Sequence, residues 1–311
     1  MFRIVDWYRS PRTWQIVIGP LLTLYALLTF LDGGFRVDHG LIISIMLLGC
    51  YVDRFRTFLQ LTFPMFMVGL LYDMMRHVTP FFHSINPPRV EELYRLEQFF
   101  FGIETDDGRL ITPPEYFIGR YSVALDLPCA FAYCFYMYES FLLAFYLFAK
   151  DHITMRRFVW AFFVTNILGM VTYYVYPAAP PWYVVEHGLG PAMLDAPANA
   201  ARLAVVDTYL GITYFEGFYS RSSNVFGAMP SLHAAYPMIA WVATRRVFPR
   251  AHWVFLAFAL LTGFAAVYLQ HHYILDVLLG AFYAWIAHMG ITSICARLEE
   301  RDRQQLTPLG S

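Results

Sequence analysis

Two histidines and an aspartate carry the chemistry this chain is equipped for. His233 stands in GAMPSLHAAYP, residues Gly227 to Pro237, beside Ser231. His272 and Asp276 stand in QHHYILD, four residues apart. On a helix that spacing puts both side chains on one face, within reach of a hydrogen bond. A carboxylate bonded to one imidazole nitrogen fixes the tautomer and leaves the other nitrogen free as nucleophile or base. Two histidines with an oriented carboxylate suit phosphoryl transfer, in which one ring attacks phosphorus and the other protonates the departing oxygen. His271 competes with His272 for that role, but it lies five residues from Asp276, a poorer helical fit, and reads as flanking. The same four residues are also potential metal ligands, yet no HExxH motif accompanies them. A lone histidine at a helix end is more often a packing residue, so each motif alone is weak. Two motifs delivered to the same place are not.

Something must deliver them. Of the 311 residues 58% are hydrophobic and only 14% charged, and the apolar residues come in long runs. Runs of about 18 or more such residues are bilayer-spanning helices. A net charge of −1 argues against nucleic acid as a partner. Hydropathy yields eight expected spans: Trp14–Leu31, His39–Val52, Phe58–Met75, Leu127–Ala149, Phe158–Tyr176, Leu232–Phe248, Trp253–Gln270 and Tyr273–Ala296. The first is too long for a signal h-region and no A-x-A site follows, so it reads as an anchor. Cys50, Cys129, Cys134 and Cys295 all lie in apolar runs without metal spacing and read as small buried hydrophobes.

Two long connections interrupt the spans. VEELYRLEQFFFGIE places Val90, Leu93, Leu96, Glu97 and Phe100 at helical spacing, which predicts an amphipathic helix on the membrane surface. Residues Pro177 to Met229 are rich in Pro, Gly and Ala, and a long loop of mixed composition is usually functional. This divides the chain into residues 1–110, N-terminal membrane helices with the interfacial helix, and 111–300, a catalytic membrane domain. Basic residues cluster at Arg3, Arg9 and Arg12; Arg54 and Arg56; Lys150, Arg156 and Arg157; Arg245, Arg246 and Arg250; and Arg297, Arg301 and Arg303. With eight spans all five clusters face the cytoplasm, and both chemical motifs with both long loops face the other side. Lys150 is the sole lysine; the arginine bias suits a GC-rich bacterial genome, hence an inner membrane rather than a Golgi membrane.

PSLH followed by HxxxD resembles the second and third motifs, PSGH and SRxxxxxHxxxD, of the type 2 phosphatidic acid phosphatase superfamily. The resemblance implies an all-α polytopic membrane bundle with a six-helix catalytic core, a phosphohistidine mechanism, and no metal or other cofactor. Lys150 and Arg157 repeat the spacing of the superfamily's first motif, KxxxxxxRP, but Phe158 stands in place of its proline and the topology puts them on the wrong side. Ala266 stands where the third motif has arginine, which points away from an ordinary lipid phosphatase. A narrower likeness accounts for these departures. YPAAPPWYVVEHGLGP, APANAARLAVVD, VFGAMPSLHAA, VFPR and YLQHHYILDV, in that order, are similar to the catalytic half of fungal-type inositol phosphorylceramide synthases.

Such synthases move a phosphoinositol head group from phosphatidylinositol to the primary hydroxyl of ceramide. The resemblance implies a phosphatidylinositol-like donor and a ceramide-like acceptor, with His272 as nucleophile, Asp276 as its orienter and His233 as acid–base partner. Ser231 and the backbone near Gly227 are expected to bond phosphate oxygens. Arg202 and Arg221, the only arginines in the long loop, are candidates for a phosphate clamp. Trp182 and Tyr183, with Pro180 and Pro181, are expected to shape an interfacial lip that admits lipid tails. The alternative is a membrane lipid phosphate phosphatase of the same superfamily, in which water intercepts the phosphohistidine. A non-enzymatic lipid carrier would not need the full His-His-Asp set. The apolar loop favours transfer, because it keeps water away.

Overall fold

Long apolar runs become helices here because a bilayer offers the backbone no other hydrogen-bond partner. The computed structural model describes residues 10–32, 37–220, 222 and 224–306. Among them five helices are long and apolar enough to cross a membrane: Trp14–Leu31, Phe55–Ile85, Val123–Lys150, His152–Val175 and Ile274–Arg301. The chain is an all-α, polytopic integral membrane protein. The helices, in order, are α1 (Gly19–Leu31, entered through a π-helical stretch Trp14–Ile18), α2 (Val37–Tyr51), α3 (Asp53–Ile85), α4 (Glu91–Phe101), α5 (Pro113–Tyr116), α6 (Val123–Lys150), α7 (His152–Val175), α8 (Pro181–His187), α9 (Leu203–Leu210), α10 (Tyr214–Tyr219), α11 (Leu232–Thr244), α12 (His252–Tyr268) and α13 (Ile274–Leu306). Two short strands, Ile103–Glu104 and Leu110–Ile111, pair antiparallel between α4 and α5.

Three of the eight expected spans form shorter helices: α2, α11 and α12. At about 1.5 Å per residue α11 is about 20 Å long, less than the roughly 30 Å of a hydrocarbon core. Pro237 lies inside it. Lacking an N–H, Pro237 leaves the His233 carbonyl without its usual helical donor.

Two compact units divide inside α3, at Phe66 and Met67. The first has its own core of Trp14, Ile18, Leu22, Met46, Cys50 and Leu59. Arg56 closes the end of α2 by donating to the Gly49 and Cys50 carbonyls at 3.0 and 2.9 Å. The second unit holds both chemical motifs. In it α11 packs against α6, α7, α12 and α13, and the C-terminal half of α3 lies on α7. Phe82 packs on Tyr174 with ring centroids 4.5 Å apart, and the Asn86 amide donates to the Tyr174 and Val175 carbonyls at 2.8 and 2.9 Å. Six helices thus make the bundle.

Five of these six helices, all but α3, have basic residues at or beside one end and site residues at or beside the other. Helix α6 runs from Asp126 and Tyr133 to Lys150, α11 from His233 to Arg245, and α13 from Asp276 to Arg297. Helix α7 runs oppositely, from Arg156 and Arg157 to Tyr173, and α12 runs from Arg250 just before it to His271 and His272 just after it. The antiparallel turn between α6 and α7 is set by Asp151, whose carboxylate caps α7 by accepting from the Ile153 and Thr154 amides at 3.0 and 3.1 Å. Within the second unit the arginine asymmetry of the sequence therefore has a structural counterpart; Arg3 and Arg9 lie outside the described residues.

Helix α4 departs from the expectation of a helix lying only on the membrane. Leu96, Phe99 and Phe100 are exposed as such a helix requires, but Val90, Leu93, Tyr94 and Glu97 are buried in the second unit. Its apolar inner edge packs with Ala178, Trp182, Tyr183, Phe226 and Tyr273. The helix accordingly packs within the second unit, which begins at Met67.

Candidate active site

The long loop is pinned by backbone pairing. Ala178 bridges Arg89 on one side and Gly227 on the other. The Ala178 amide donates to the Phe226 carbonyl at 2.9 Å, and the Ala228 amide to the Ala178 carbonyl at 3.2 Å. This leaves the Ala228 carbonyl aimed at His272, whose Nδ1 lies 2.7 Å away. A carbonyl oxygen can only accept, so Nδ1 carries the proton and Nε2 keeps its lone pair. Nε2 in turn lies 3.1 Å from Nδ1 of His233. The two motifs, 39 residues apart, therefore meet nitrogen to nitrogen.

Asp276 sits where its spacing placed it, but not on a helix shared with His272. Helix α13 begins at Ile274, so His272 lies in the turn before it. The Asp276 Oδ2 is 3.5 Å from His272 Nδ1 and accepts the Tyr273 amide at 2.8 Å. Orientation of His272 is thus shared: the Ala228 carbonyl takes the shorter contact and the carboxylate supplies charge behind it. Asp276 is fully buried, with Oδ1 unpaired. Its backbone carbonyl accepts the Ser231 amide at 2.9 Å, which ties the start of α11 to the start of α13.

Ser231 is the N-cap of α11, its hydroxyl oxygen accepting the Ala234 amide at 3.4 Å. It is buried, and its O–H remains a donor. His233 follows on the first turn, partly exposed and stacked on Tyr133 with centroids 4.1 Å apart and planes 11° from parallel. His271 also stacks on Tyr133, at 5.0 Å, and on Tyr219 at 4.5 Å. Burial pushes the His271 imidazole down to about 3, so it stays neutral at ordinary pH. It is a wedge in an aromatic column rather than part of the contact between His233 and His272.

The structure gives the other sequence candidates different surroundings. Arg202 does not point a free fork toward phosphate. Its Nε and Nη2 bond the two oxygens of Asp126 at 3.1 and 2.7 Å, its guanidinium lies 4.0 Å over the Tyr121 ring, and Tyr268 donates to the same carboxylate at 3.0 Å. Bidentate pairing is what a planar guanidinium does best, and a fully buried carboxylate demands it. Arg221 lies outside the described residues. Trp182 and Tyr183 are 7% and 1% exposed, in the core with Phe226 and Tyr273 rather than at a lip. The Tyr183 hydroxyl accepts the Met193 amide at 2.8 Å. Lys150 lies roughly 20 Å beyond Tyr136 along α6, at about 1.5 Å per residue, far from the histidines. Among the described residues no three of His, Cys, Asp or Glu are grouped to hold a metal ion.

Residues 118–290 match the PAP2 superfamily. The chain belongs to the PAP2 superfamily. Among its relatives in the wider comparison is the phosphoinositol dihydroceramide synthase of Bacteroides thetaiotaomicron, 35% identical over 86% of this chain and 88% of that one. The inositol phosphorylceramide synthase of Candida albicans is 36% identical over 41% of this chain, a stretch covering 27% of its own length. The catalytic subunit of the Saccharomyces cerevisiae inositol phosphorylceramide synthase is 34% identical over 39% of this chain and 30% of its own. No solved structure matches. For this PAP2 protein the superfamily region takes in α6 to the greater part of α13 and leaves α4 outside it, although α4 packs on the site's outer wall.

Sequence reasoning missed Asp126 and named Glu97 only as part of the amphipathic stripe of α4. Asp126 is an ionisable residue opening an apolar span, which by itself signals a partner. Asp126→Asn should leave Arg202 uncompensated and lower the unfolding free energy by roughly 3–5 kcal/mol. Thermal denaturation in detergent checks this. An unchanged midpoint would mean that the pair is not structural.

Proposed function

We propose that this protein is a lipid phosphotransferase that moves a phosphoinositol-type head group from a phosphatidylinositol-like donor to the primary hydroxyl of a ceramide-like acceptor. The observation that carries the reading is the 3.1 Å approach of His233 Nδ1 to His272 Nε2, with His272 Nδ1 engaged by the Ala228 carbonyl. It supports His272 as nucleophile and His233 as the acid–base partner. The arriving phosphodiester separates the two rings, and its negative charge favours the imidazolium form of His233. Nε2 forms a bond to phosphorus as the bond to the diacylglycerol oxygen breaks, and that oxygen takes the Nδ1 proton of His233. The acceptor hydroxyl then returns a proton to Nδ1 as its oxygen displaces Nε2 from phosphorus. Asp276 steadies the charge that develops on His272. The buried Ser231 hydroxyl at the start of α11 supports a role as donor to phosphate, and Arg221 is retained as a clamp candidate.

The competing reading, a lipid phosphate phosphatase, differs only in what intercepts the phosphohistidine. The names of the relatives support transfer, as does the apolar loop over the site. Purified protein should be given labelled phosphatidylinositol and titrated with ceramide, diacylglycerol or polyprenol. Transfer predicts that acceptor accelerates head-group release and that label moves to the acceptor lipid. A ratio of lipid-bound to water-soluble label near zero at every saturating acceptor would establish hydrolysis instead.

We place the site on the non-cytoplasmic face of the membrane, on the strength of the basic helix ends opposite it. Cysteines at Leu194 and Ser222, both exposed, should react with impermeant reagents from that face, and one at Lys150 only from the cytoplasm. The reversed labelling pattern would invert the topology.

A further inference from the structure

We infer that Glu97, on the amphipathic helix α4, is a positioning residue for the catalytic centre: its buried carboxylate holds the first turn of α13 and, through it, the His272–Asp276 pair. The inference rests on the catalytic reading above.

Glu97 is fully buried. Its Oε1 accepts the Ile274 amide at 2.8 Å and its Oε2 the Leu275 amide at 3.1 Å. These amides belong to the opening turn of α13, where N–H groups have no partner within the helix. A carboxylate there satisfies two of them and faces the positive end of the helix dipole. The two residues it grips lie between His272 and Asp276. Tyr273, just before them, donates its amide to Asp276, and the Asp276 carbonyl takes the Ser231 amide. One side chain from a helix outside the superfamily region therefore sets the segment on which the nucleophile, its carboxylate and the start of α11 all depend.

Helix α4 is anchored well enough to do this. The Arg89 amide just before it bonds the Pro177 carbonyl at 2.8 Å. The Tyr94 hydroxyl lies 3.1 Å from both oxygens of Glu115 on α5, and the Gln98 amide donates to that hydroxyl at 3.1 Å. The titratable groups that act on Glu97 are Asp276 on α13 and Tyr273 before it, and Tyr273 in turn feels Glu115 on α5 and Tyr94 on α4. Burial pushes the Glu97 carboxyl up to about 7, against the pull of the two amides, and Asp276 adds to the rise. Between pH 6 and 8 the group thus passes from a neutral acid to a charged acceptor. Only the charged form offers both amides a strong acceptor, so positioning should strengthen as pH rises through that window.

The test uses the full chain in liposomes with phosphatidylinositol as donor and ceramide as acceptor. Glu97→Gln keeps the shape but turns an NH2 group toward an amide donor. We expect kcat to fall about tenfold, with KM for either lipid within about twofold, because misplacement affects the reaction more than binding. The acidic limb of the kcat profile near pH 7 should flatten. Ile274→Pro removes one of the gripped amides at a position where proline suits a helix start. It should lower kcat in the parent and add little in the Glu97→Gln background. A Glu97→Gln protein with parental kcat and an unmoved limb, or a loss confined to KM, would overturn the inference. If that variant does not fold, parental kcat in Ile274→Pro does the same. His272→Ala, assayed alongside, separates the two failures: if it too keeps turnover, the catalytic reading has fallen; if it alone is inactive, only the role of Glu97 has.

Discussion

His272→Ala should lower head-group transfer on the order of a thousandfold or more, because it removes the atom that bonds phosphorus. The protein should still fold, since His272 contributes a small part of a wall whose backbone is held elsewhere. His233→Ala should also be severely impaired, with a difference in kind. The nucleophile survives, so a donor with a better leaving group than diacylglycerol should recover part of the rate, whereas His272→Ala should recover none. His271→Phe is the control. It keeps a ring between Tyr133 and Tyr219 and loses only the imidazole's bond to the Ala200 backbone, so its rate should stay within about tenfold of the parent. Turnover assays on the three purified variants decide the assignment. An inactive His271→Phe beside an active His272→Ala would reverse it.

Gly280→Ala should be nearly as damaging from a residue with no chemistry of its own. Helix α13 passes the start of α11 so closely at Gly280 that an added Cβ would overlap the Ser231 carbonyl oxygen and crowd the Ser231 carbonyl carbon at 3.0 Å. The obstacle is backbone, so no rotamer change relieves it. Overpacking of this kind costs roughly 1–3 kcal/mol and often more. The displaced element is the one that carries Ser231 and His233, and a shift of about 1 Å can cost a hundredfold in rate. We expect a lowered unfolding midpoint together with a loss of kcat near that size. By contrast, Gly217→Ala, where a Cβ would meet open space, should be indistinguishable from the parent. A fully active Gly280→Ala would mean that the helices can part without disturbing the histidines.

Much of the site was legible because its parts are local. PSLH announces a capped helix start bearing a histidine, and the short spacing of His272 and Asp276 announces a carboxylate near an imidazole, although the turn before α13 rather than a shared helix brings them together. Long apolar runs with arginines at alternate ends announce a membrane bundle and put both motifs at one end of it. These features depend on neighbours within a turn or two, or on composition, and a sequence displays both.

What only the tertiary structure decided concerns partners far along the chain. Nothing in the sequence says that the Ala228 carbonyl, 44 residues away, rather than Asp276, makes the shorter contact to His272. Nor does it say that Arg202 spends its fork on Asp126, that Trp182 and Tyr183 are core, or that Glu97 caps a helix 177 residues later. Even the stripe of α4, read as amphipathic, concealed that one of the helix's three carboxylates, Glu97, faces inward. The physical reason is common to the three polar cases. A polar group in a low-dielectric interior must find a partner, which the sequence does predict, but which partner it finds is set by the approach of helices that only packing brings together.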